Sequence, residues 1–471
     1  MKEICGVILA AGEGKRMRSK YPKVLHPLWG RPMVEYVLDA CQALPLERIL
    51  MVIGHGADRV KEALRHREVR FVLQRDQKGS GHALMQVAPP LKAFSGDLLV
   101  VCGDVPLIST EILRDLLEAH RRGGAAATVL TTKLKNPTGY GRLIRDGRGQ
   151  PKGIVEEVDA NARQRAIKEV NTGIYCFAAP RIFEMLREIR SSNRQGEYYL
   201  PDVFGLLRKQ GEKIEASLTP EWERVAGINT REELARALQI LKRAKLEELM
   251  RQGVSILDPA STFIDAAVQI GKDTVIYPHS YIEGETLIGE DCILYPGSRI
   301  VGSKMGNGVL VFDHCLILES EVADGAKIGP FAHLRPGSQI GKGARIGNFV
   351  EIKKSEIGEG SKVPHLSYIG DSTIGRGVNI GAGSITCNYD GFEKHRTRIE
   401  DGVFAGSDSL FIAPVQVGEG AIVAAGSVIT EDVPPHSLAI ARARQTNKEG
   451  WAKEWQERKK GTKTTATKKA R

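Results

Sequence analysis

The sequence has no pair of cysteines at the CxxC spacing of zinc sites and redox motifs. Its seven cysteines lie scattered at positions 5, 41, 102, 176, 292, 315 and 387. Their odd number and wide spacing argue against a disulfide framework and a cysteine zinc site. We therefore expect a protein of the reducing cytoplasm.

Long hydrophobic runs are also missing. The apolar segment ICGVILAAG near the start is too short to cross a bilayer and lacks the layout of a signal peptide. No run of about 18 apolar residues occurs elsewhere in the chain. The sequence thus predicts no membrane partner.

Outside its last residues the chain has little net charge. Residues 458–471 (RKKGTKTTATKKAR) contain seven Lys or Arg and no acid, so removing them from the net charge of +10 leaves about +3. This segment has no aromatic side chain on which a base could stack. We expect residues 452–471 to form a basic, disordered tail rather than a nucleic-acid-binding arm.

The second half of the chain contains a repeat of six residues. An aliphatic residue returns every sixth position, and a small one usually follows four positions later. The aliphatic set is Ile270, Ile276, Ile282, Ile288, Leu294, Ile300, Val322, Ile328, Leu334, Ile340, Ile346 and Ile352, and the small set is Thr274, Ser280, Thr286, Cys292, Ser298, Ala326, Ala332, Ser338, Ala344 and Val350. This period fits neither a helix nor a half-buried strand, and it is typical of a hexapeptide β-helix.

The first 230 residues alternate short apolar runs with helical stretches. The runs are Ile4–Ala10, Ile49–Ile53, Val69–Leu73, Leu98–Val101 and Ala126–Leu130. Runs without polar alternation predict a parallel sheet covered on both faces. Ligands of such sheets bind beyond the carboxyl ends of the strands.

The segment after the first run, LAAGEGKRMRSKYPKVLHPL, predicts a phosphate site. Gly12 and Gly14 allow backbone N–H groups to approach an anion, and Lys15, Arg16 and Lys23 add positive charge. The spacing differs from that of the P-loop with its Lys-Ser/Thr pair.

Two further segments follow strands. Asp104, in GDVPLI, is either a plain turn aspartate or, facing a polyphosphate, a ligand of Mg²⁺. Gln74 and the turn QKGSGHA can pair with the edge of a base, although Gly-Ser-Gly is also an ordinary loop.

The repeat of the second half slips in places. The step is five residues from Ile352 to Ile357 and from Ile369 to Ile374, and nineteen residues separate Ile380 from Ile399. We expect the chemistry of the solenoid in or beside these stretches, which contain Lys353, His365, Tyr368, Asn379 and TCNYDGFEKHRT. Taken alone, His365 is more readily explained as a satisfied surface or interface histidine, and only its neighbours in these stretches favour a catalytic role.

These motifs together resemble one family. LAAGEGKRM, PKVLH, GSGHA, GDVPLI, GYGRL, IVEE, NTGIY and GIN, followed by hexads with CNYDG, are similar to bifunctional N-acetylglucosamine-1-phosphate uridylyltransferase and glucosamine-1-phosphate N-acetyltransferase. The resemblance covers about residues 3–451. Two positions depart from the family pattern, since Lys15 and Ser80 stand where Thr is usual.

The resemblance implies a fold of two domains. A Rossmann-like uridylyltransferase domain (1–230) is joined by a helical linker (231–250) to a left-handed parallel β-helix acetyltransferase domain (251–451), with the basic tail after it. It also implies a cytoplasmic homotrimer whose acetyl-transfer sites are shared between subunits, and a product used for peptidoglycan and lipopolysaccharide.

For the first half, the resemblance implies binding of UTP and N-acetylglucosamine 1-phosphate. The residues at the nucleotide and sugar are Leu9, Ala10, Ala11, Gly12, Gln74, Gly79, Ser80, Gly141, Glu156, Asn171 and Asn229, with Arg16 and Lys23 at the phosphates and Asp104 and Asn229 on Mg²⁺. Such a reaction needs placed charges more than covalent help.

For the second half, the resemblance implies acetyl transfer with His365 as the base. Glucosamine 1-phosphate would contact Arg335, Lys353, Tyr368, Asn379 and Lys394, and acetyl-CoA would contact Ala382, Asn388, Tyr389, Ser407, Ala425 and Arg442. A histidine suits proton removal from an amine. Two alternatives are a nucleotidyltransferase with a structural or regulatory solenoid, and a hexad scaffold that binds nucleic acid through its tail.

Overall fold

The computed structural model of the protein describes residues 3–468, with side chains to residue 460. Contacts divide the chain into two units, Met1–Ala244 and Lys245–Arg471. Each unit has its own hydrophobic core. The division falls within a helix, Arg231–Arg251, in the segment where the sequence predicts a connecting helix.

The first unit is built on a sheet. Its strands, in chain order, are β1 (Ile4–Ala10), β2 (Pro27–Leu28), β3 (Arg31–Pro32), β4 (Arg48–Ile53), β5 (Arg70–Leu73), β6 (Asp97–Cys102), β7 (Ala127–Lys133), β8 (Arg142–Arg145), β9 (Pro151–Val155), β10 (Glu169–Ala178) and β11 (Ile214–Leu218). Except for the small β2–β3 pair, the strands form one sheet of order β11-β7-β10-β6-β1-β4-β5, with β8 and β9 added at β10.

Five of these strands confirm the apolar runs found in the sequence. The pairs β1–β4, β1–β6 and β4–β5 are parallel, as predicted, and β7 also pairs in parallel with β11, which was not among the predicted runs. The sheet is nevertheless mixed, because β10 runs antiparallel to both β6 and β7. The first half of β10 has no apolar run, since it contains Asn171, Thr172 and Gly173, and the pairing with β7 shifts between Asn171 and Tyr175.

Helices cover the sheet on both faces. They are α1 (Met33–Gln42), α2 (Ala57–Ala63), α3 (Ser80–Met85), α4 (Thr110–Gly123), α5 (Ala162–Arg165), α6 (Ala179–Leu186), α7 (Asp202–Lys209), α8 (Trp222–Val225) and α9 (Arg231–Arg251). Alternate residues of β1 enter different clusters, Cys5 and Val7 one, Ile4 and Ile8 the other. Burial on both sides explains why the strand carries no polar alternation.

Helix α9 changes its buried face along its length. Leu234, Leu238 and Leu241 pack against a cluster of the first unit. Leu246 and Leu249 belong to the core of the second unit. The two leucine sets therefore lie on different faces of the helix because each packs against the core of a different unit.

The second unit is a parallel β-helix of three sheets, made of strands of two to four residues. Within the described residues, sheet 1 contains Ser255–Ile256, Val275–Ile276, Ile293–Leu294, Leu310–Val311, Lys327–Ile328, Arg345–Asn348, Lys362–His365, Asn379–Ile380, Phe404–Ala405, Ile422–Val423 and Leu438–Ala439. Sheet 2 contains Phe263–Ile264, Tyr281–Glu283, Arg299–Val301, Leu316–Leu318, His333–Leu334, Glu351–Lys353, Tyr368–Gly370, Ile385–Cys387, Leu410–Ile412 and Val428–Ile429. Sheet 3 contains Gln269–Ile270, Leu287–Ile288, Lys304–Met305, Glu321–Val322, Gln339–Ile340, Glu356–Ile357, Ser372–Ile374, Thr397–Ile399 and Val415–Val417.

The hexad prediction is confirmed by burial. All predicted aliphatic positions are buried, from Ile270 at 7% exposure to Ile346 at 0%, and the small residues are buried with them. Each such side chain stabilises the unit by roughly 1.5–3 kcal/mol when fully removed from water. One aliphatic per face is thus enough to fill the narrow interior.

The five-residue steps are tight corners, and they are more frequent than the two considered above. They also occur from Ile300 to Met305 and from Ile317 to Val322. In each step one residue has positive φ: 54° at Gly302, 41° at Glu319, 45° at Lys354 and 49° at Asp371. A short step is therefore a general corner geometry of this β-helix, and only two of the four adjoin the predicted site residues.

The basic tail differs from the prediction. Residues Trp451–Lys468 form a helix, α10, whereas residues 469–471 lie outside the described part. Pairs four residues apart stabilise a helix: the Trp451 and Trp455 rings stack with centroids 6.2 Å apart, and Arg458 Nη2 lies 3.4 Å from Glu454 Oε2. Net charge alone did not reveal this pattern.

Of the helices in the described residues, none is both long and apolar enough to cross a bilayer.

Candidate active sites

The first candidate site lies where β1 ends. Ala11 O accepts a hydrogen bond from His55 N at 3.2 Å, and Leu9 O accepts one from Gly103 N at 2.9 Å. The predicted nucleotide residues Leu9, Ala10 and Ala11 therefore lie between the segments that follow β4 and β6. This is the carboxyl edge of the sheet, where ligands of such folds bind.

Two glycines shape the next loop. Gly14 has a φ of 68°, and a Cβ on it would lie 2.6 Å from Cβ of Lys23. Only glycine fits there, so the loop and Lys23 lie in close contact. No described atom lies within 4 Å of the place where a Cβ on Gly12 would be, so the backbone of Gly12 can be approached.

Four predicted residues converge beside this loop. Lys23 Nζ donates to Asn229 Oδ1 at 2.7 Å and also contacts the carboxylate of Asp104. Arg16 Nη2 donates to the same Asn229 oxygen at 2.9 Å. The side chains of Lys23 and Asp104 are only 13% and 21% exposed, so water screens these charges weakly.

The start of α9 holds Asn229 in place. The backbone N–H groups of Asn229 and Thr230 donate to Glu233 Oε2 at 2.6 and 3.0 Å, and Glu233 N donates to Thr230 Oγ1 at 3.2 Å. This is a capping box extended by one residue. In addition, Ile228 N donates to Asp104 O at 2.8 Å, so the segment before α9 is tied to that of Asp104.

The predicted base-binding residues lie together at the start of α3. Gln74 is buried, and its Nε2 lies 3.3 Å from Gly79 O and 2.9 Å from His82 Nδ1. Ser80 Oγ accepts a hydrogen bond from Leu200 N at 3.1 Å. Gly79 has a φ of 101°, which favours glycine.

The predicted sugar residues form a third group. Asn171 N donates to Gly141 O at 2.9 Å, and a Cβ on Gly141 would lie 2.9 Å from Glu156 Oε1. Asn171 Nδ2 donates to the hydroxyl of Tyr175 at 2.8 Å. Burial, together with the nearby Asp202 and Asp159 charges, raises the pKa of Glu156.

Cys102 connects the sugar group to the segment of Asp104. Its Sγ lies 3.3 Å from Gly173 O, and burial raises the pKa of its thiol to about 12. Tyr140, next to Gly141, feels the charges of Asp104 and Arg16, although burial is the largest cause of its raised pKa. The sugar group and the Lys23 group therefore adjoin.

The second unit contains a separate group of cations. Lys353 and Lys394 lie close enough for each to shift the pKa of the other, and Lys353 Nζ lies 3.6 Å from Asp371 Oδ2. Arg335 Nη1 donates to Glu351 Oε1 at 2.8 Å.

Contact between two ammonium groups is unfavourable without an anion. The hydrogen-bonding contact with Lys353, and its charge, lower the pKa of Lys394. Tyr368 pairs with Glu351 in sheet 2 and thus lies beside the same group. An anion such as a phosphate would relieve the repulsion between the two lysines.

His365 begins a column along one corner of the β-helix. Its Nδ1 contacts Asn348 Oδ1, and its carbonyl accepts from Gly383 N at 3.3 Å. In the following coils, Asp408 N donates a hydrogen bond to Ala382 O at 2.7 Å, and Gly426 N donates one to Ser407 O at 2.8 Å. A Cβ on Gly426 would lie 3.9 Å from Cδ of Arg442. The predicted acetyl-CoA residues Ala382, Ser407, Ala425 and Arg442 therefore follow one another from coil to coil, starting at His365.

The long slip in the repeat is a hairpin between coils. Tyr389 pairs with Lys394, and His395 N donates to Asn388 O at 2.9 Å. Asn388 Nδ2 contacts Asp371 Oδ2 at 2.5 Å and the Tyr368 hydroxyl at 3.4 Å. The hairpin thus brings Lys394 and Asn388 to the cation group.

Asn379 stands apart in the described chain. It pairs with Lys362 and Phe404 in sheet 1, three residues before Ala382. The structure therefore does not join this predicted sugar-phosphate residue to the cation group.

Known proteins match both units. The chain matches the MobA-like NTP transferase domain over residues 6–198 and the bacterial transferase hexapeptide (six repeats) over residues 267–302, 319–354 and 396–431. It is 50% identical over 447 residues to the bifunctional protein GlmU of Shouchella clausii (strain KSM-K16), which covers 95% of this chain and 98% of that protein. Proteins of the same name from Geobacillus sp. (strain WCH70) and Syntrophomonas wolfei subsp. wolfei (strain DSM 2245B / Goettingen) are also 50% identical, over 94% of this chain and 96% and 98% of theirs. The chain belongs to the GlmU family.

As a member of the GlmU family, the chain is a bifunctional enzyme of UDP-N-acetylglucosamine synthesis, with acetyltransferase and uridylyltransferase activities. The family, the function and the enzyme class expected from the sequence are thereby confirmed. A single activity with a purely structural β-helix is not favoured.

Three residues that contact predicted site residues were not found from the sequence. Glu233 could have been found from the capping-box spacing after Thr230. Asn348 and Asp371 each lie 17 residues, one coil, before the residue they contact, His365 and Asn388. Counting one coil back from each candidate would have found both.

The two departures from the GlmU pattern have different consequences. The Lys15 side chain is 81% exposed, and its Nζ lies 3.3 Å from Glu13 Oε2. Ser80 keeps its hydroxyl in use, as an acceptor for Leu200 N at 3.1 Å. The Lys15 side chain therefore lies at the surface and pairs with Glu13, whereas the Ser80 hydroxyl makes a structural hydrogen bond.

Proposed function

We propose that the unit Met1–Ala244 catalyses uridylyl transfer and the β-helix unit catalyses acetyl transfer. Acetyl-CoA and glucosamine 1-phosphate would give N-acetylglucosamine 1-phosphate, which then reacts with UTP to give UDP-N-acetylglucosamine and pyrophosphate. One observation supports this division: each unit has its own cation cluster. In the first unit Lys23 lies beside the oxygens of Asp104 and Asn229. The β-helix unit contains Lys353 and Lys394 and, in addition, the imidazole of His365 at the start of the column.

In uridylyl transfer, an oxygen of the sugar phosphate attacks the α-phosphorus of UTP and pyrophosphate leaves. The loop Leu9–Gly12 would hold the nucleotide through its backbone, with Arg16 and Lys23 on the phosphates. Their positive charges stabilise the charge that develops on the phosphoryl oxygens and on the leaving pyrophosphate. The low exposure of Lys23 supports this role, because a weakly screened charge acts more strongly.

Asp104 and Asn229 would hold Mg²⁺. Their side-chain oxygens already converge on one cation, the ammonium of Lys23, and both are the hard donors that Mg²⁺ prefers. When bound there, Mg²⁺ would neutralise part of the negative charge of the phosphates.

The remaining residues of the first unit would select the substrates. Gln74, with the Gly79-Ser80 turn, would pair with the uracil. Gly141, Glu156 and Asn171 would contact the sugar, and their mutual contacts support a shared role.

In acetyl transfer, Nε2 of His365 would remove a proton from the amine of glucosamine 1-phosphate. The amine nitrogen forms a bond to the thioester carbonyl carbon, and the carbon–sulfur bond then breaks. The thiolate of CoA takes up the proton held by the imidazole. Asn348 supports this role, because its Oδ1 accepts from Nδ1–H and leaves Nε2 as the acceptor.

Two groups would bind the acetyl-transfer substrates. Arg335, Lys353, Tyr368 and Lys394 would bind glucosamine 1-phosphate, with the two lysines on the phosphate. Asn379, which lies apart from this group in sheet 1, stays a prediction of the resemblance alone. Acetyl-CoA would lie along the column of Ala382, Ser407, Ala425 and Arg442, with Asn388 and Tyr389 of the hairpin beside it.

We further propose a homotrimer in the cytoplasm. Phe331, Phe349 and Leu366 are 47%, 55% and 62% exposed next to His365, and the two phenyl rings stack at 5.2 Å. Such an exposed apolar corner is suited to contact with a second copy of the chain. The seven cysteines are free thiols, which supports a reducing compartment.

The test is to assay both half-reactions in His365→Ala and Asp104→Ala. Loss of the base should reduce acetyl transfer roughly 10²–10⁴-fold and leave uridylyl transfer unchanged. Asp104→Ala should do the reverse. Acetyl transfer near the parent rate in His365→Ala would show that the base is another residue, and a parent protein without acetyl transfer would refute the division.

A further inference from the structure

An acidic side chain lies among the cations of the acetyl-transfer unit. Asp371 follows the sheet 2 strand Tyr368–Gly370, and its side chain is 15% exposed. A carboxylate repels a phosphate, so its presence beside Lys353 requires a physical reason.

The turn itself does not require an aspartate. Asp371 has a φ of 49°, but the equivalent tight corners place Gly302, Glu319 and Lys354 at φ of 54°, 41° and 45°. Glycine, glutamate and lysine thus satisfy the same backbone geometry. The reason for Asp371 must therefore be found in the contacts of its side chain.

One carboxylate oxygen contacts both substrate groups. Asp371 Oδ2 lies 2.5 Å from Asn388 Nδ2 and 3.6 Å from Lys353 Nζ. Lys353 belongs to the proposed sugar-phosphate group, and Asn388 belongs to the proposed acetyl-CoA group. The backbone N–H of Asp371 also donates to Lys353 O at 2.9 Å, so the two residues are joined twice.

The charge of Asp371 opposes the repulsion between the lysines. Each of Lys353 and Lys394 shifts the pKa of the other, and the carboxylate favours the protonated form of both. Without it, two ammonium groups would separate or one would lose its proton before a phosphate arrives. The carboxylate therefore prepares a site that is cationic and correctly spaced.

We propose that Asp371 is a positioning residue of acetyl transfer, which holds Lys353 and Asn388 in one arrangement and so couples the sugar-phosphate group to the acetyl-CoA group. This inference rests on the proposed assignment of acetyl transfer to the β-helix. It differs from a structural role, because it requires effects on the binding of both substrates rather than on folding.

Three variants of the full-length protein test the proposal. Asp371→Ala removes both contacts, so the KM for glucosamine 1-phosphate and the KM for acetyl-CoA should each rise roughly tenfold, as expected for the loss of a charged hydrogen bond. Asp371→Asn keeps an acceptor for Asn388 but loses the charge, so only the KM for glucosamine 1-phosphate should rise. Glu319→Ala is the matched control, since it removes a carboxylate from the same type of corner at a residue that belongs to neither proposed substrate group.

Uridylyl transfer and the melting temperature are measured in parallel, and both should stay at parent values in Asp371→Asn. Parent KM values for both substrates in Asp371→Asn, or Asp371→Ala behaving like Glu319→Ala, would overturn the proposal. If Asp371→Ala does not fold, the asparagine variant decides alone. Failure of the proposed function is distinguishable, because His365→Ala would then keep acetyl transfer near the parent rate.

Discussion

The two units assemble their candidate sites over very different distances along the chain. In the first unit, Lys23 contacts Asp104 and Asn229, which are 81 and 206 residues away, and Arg16 contacts Asn229 across 213 residues. In the β-helix, His365 contacts Asn348 and Asn388 contacts Asp371, each across 17 residues. The first site thus depends on the order of strands in a sheet, whereas the second depends on the stacking of neighbouring coils.

This difference determines how each site tolerates change. A site joined by long-range contacts loses its geometry when any of several distant segments moves. A site on stacked coils is supported locally, because each coil contacts mainly its neighbours. We therefore expect single substitutions that remove a contact within a site to have larger effects in the first unit.

Apart from loss of the proposed base His365, the largest effect should come from Lys23, which joins distant segments. Lys23→Ala removes a weakly exposed charge from the phosphates and leaves the Asp104 carboxylate without its cation. We expect the rate of uridylyl transfer to fall on the order of 10³-fold, with acetyl transfer unchanged.

Lys20→Ala is the control for that prediction, since Lys20 lies in the same segment with an exposed side chain. Steady-state assays of both half-reactions measure the effect. Equal, small losses in Lys23→Ala and Lys20→Ala would refute the idea that the first site depends on this contact.

A smaller effect is expected from filling the column of the β-helix. Ala425→Phe places a ring where acetyl-CoA would lie, so the KM for acetyl-CoA should rise roughly tenfold while that for UTP stays the same. Ile422→Phe, in the same coil at a position already 48% exposed, should leave both values unchanged. An unaltered KM for acetyl-CoA in Ala425→Phe would show that the column does not bind this substrate.

The smallest effect concerns Glu156 and pH. Burial raises the pKa of Glu156, with Asp202 and Asp159 adding to the shift, so its charged form is disfavoured in the folded state. The contribution of Glu156 to stability is therefore present at low pH and is lost as the pH rises through its raised pKa. The melting temperature of Glu156→Gln, relative to the parent, should increase from pH 4 to pH 8.

Glu13→Gln provides the comparison for this measurement, because the Glu13 side chain is 52% exposed. Its melting temperature, relative to the parent, is measured at the same pH values. A pH-independent difference between Glu156→Gln and the parent would mean that Glu156 ionises as easily in the folded chain as in the unfolded one.

Much of each unit could be predicted from local patterns. The runs that became β1 and β6 were visible because both faces of the sheet are buried, which removes polar alternation. The hexads were visible because every coil repeats the same burial. Strand β10 was missed because its first half is polar and bulged at the proposed sugar group. Helix α10 was missed because the basic composition of the tail gives no information about side-chain pairs four residues apart.

By itself, the sequence determined the two kinds of unit, the loop rich in glycine and cations after β1, and the stretch of irregular hexads around His365. These follow from short-range periodicity, which a chain expresses before any distant contact forms. Only the tertiary structure decided that Lys23, Asp104 and Asn229 meet at one point, that β10 is antiparallel, and that Asp371 joins Lys353 to Asn388. The physical reason is that these contacts depend on which strands and coils become neighbours, and no local pattern of residues encodes that order.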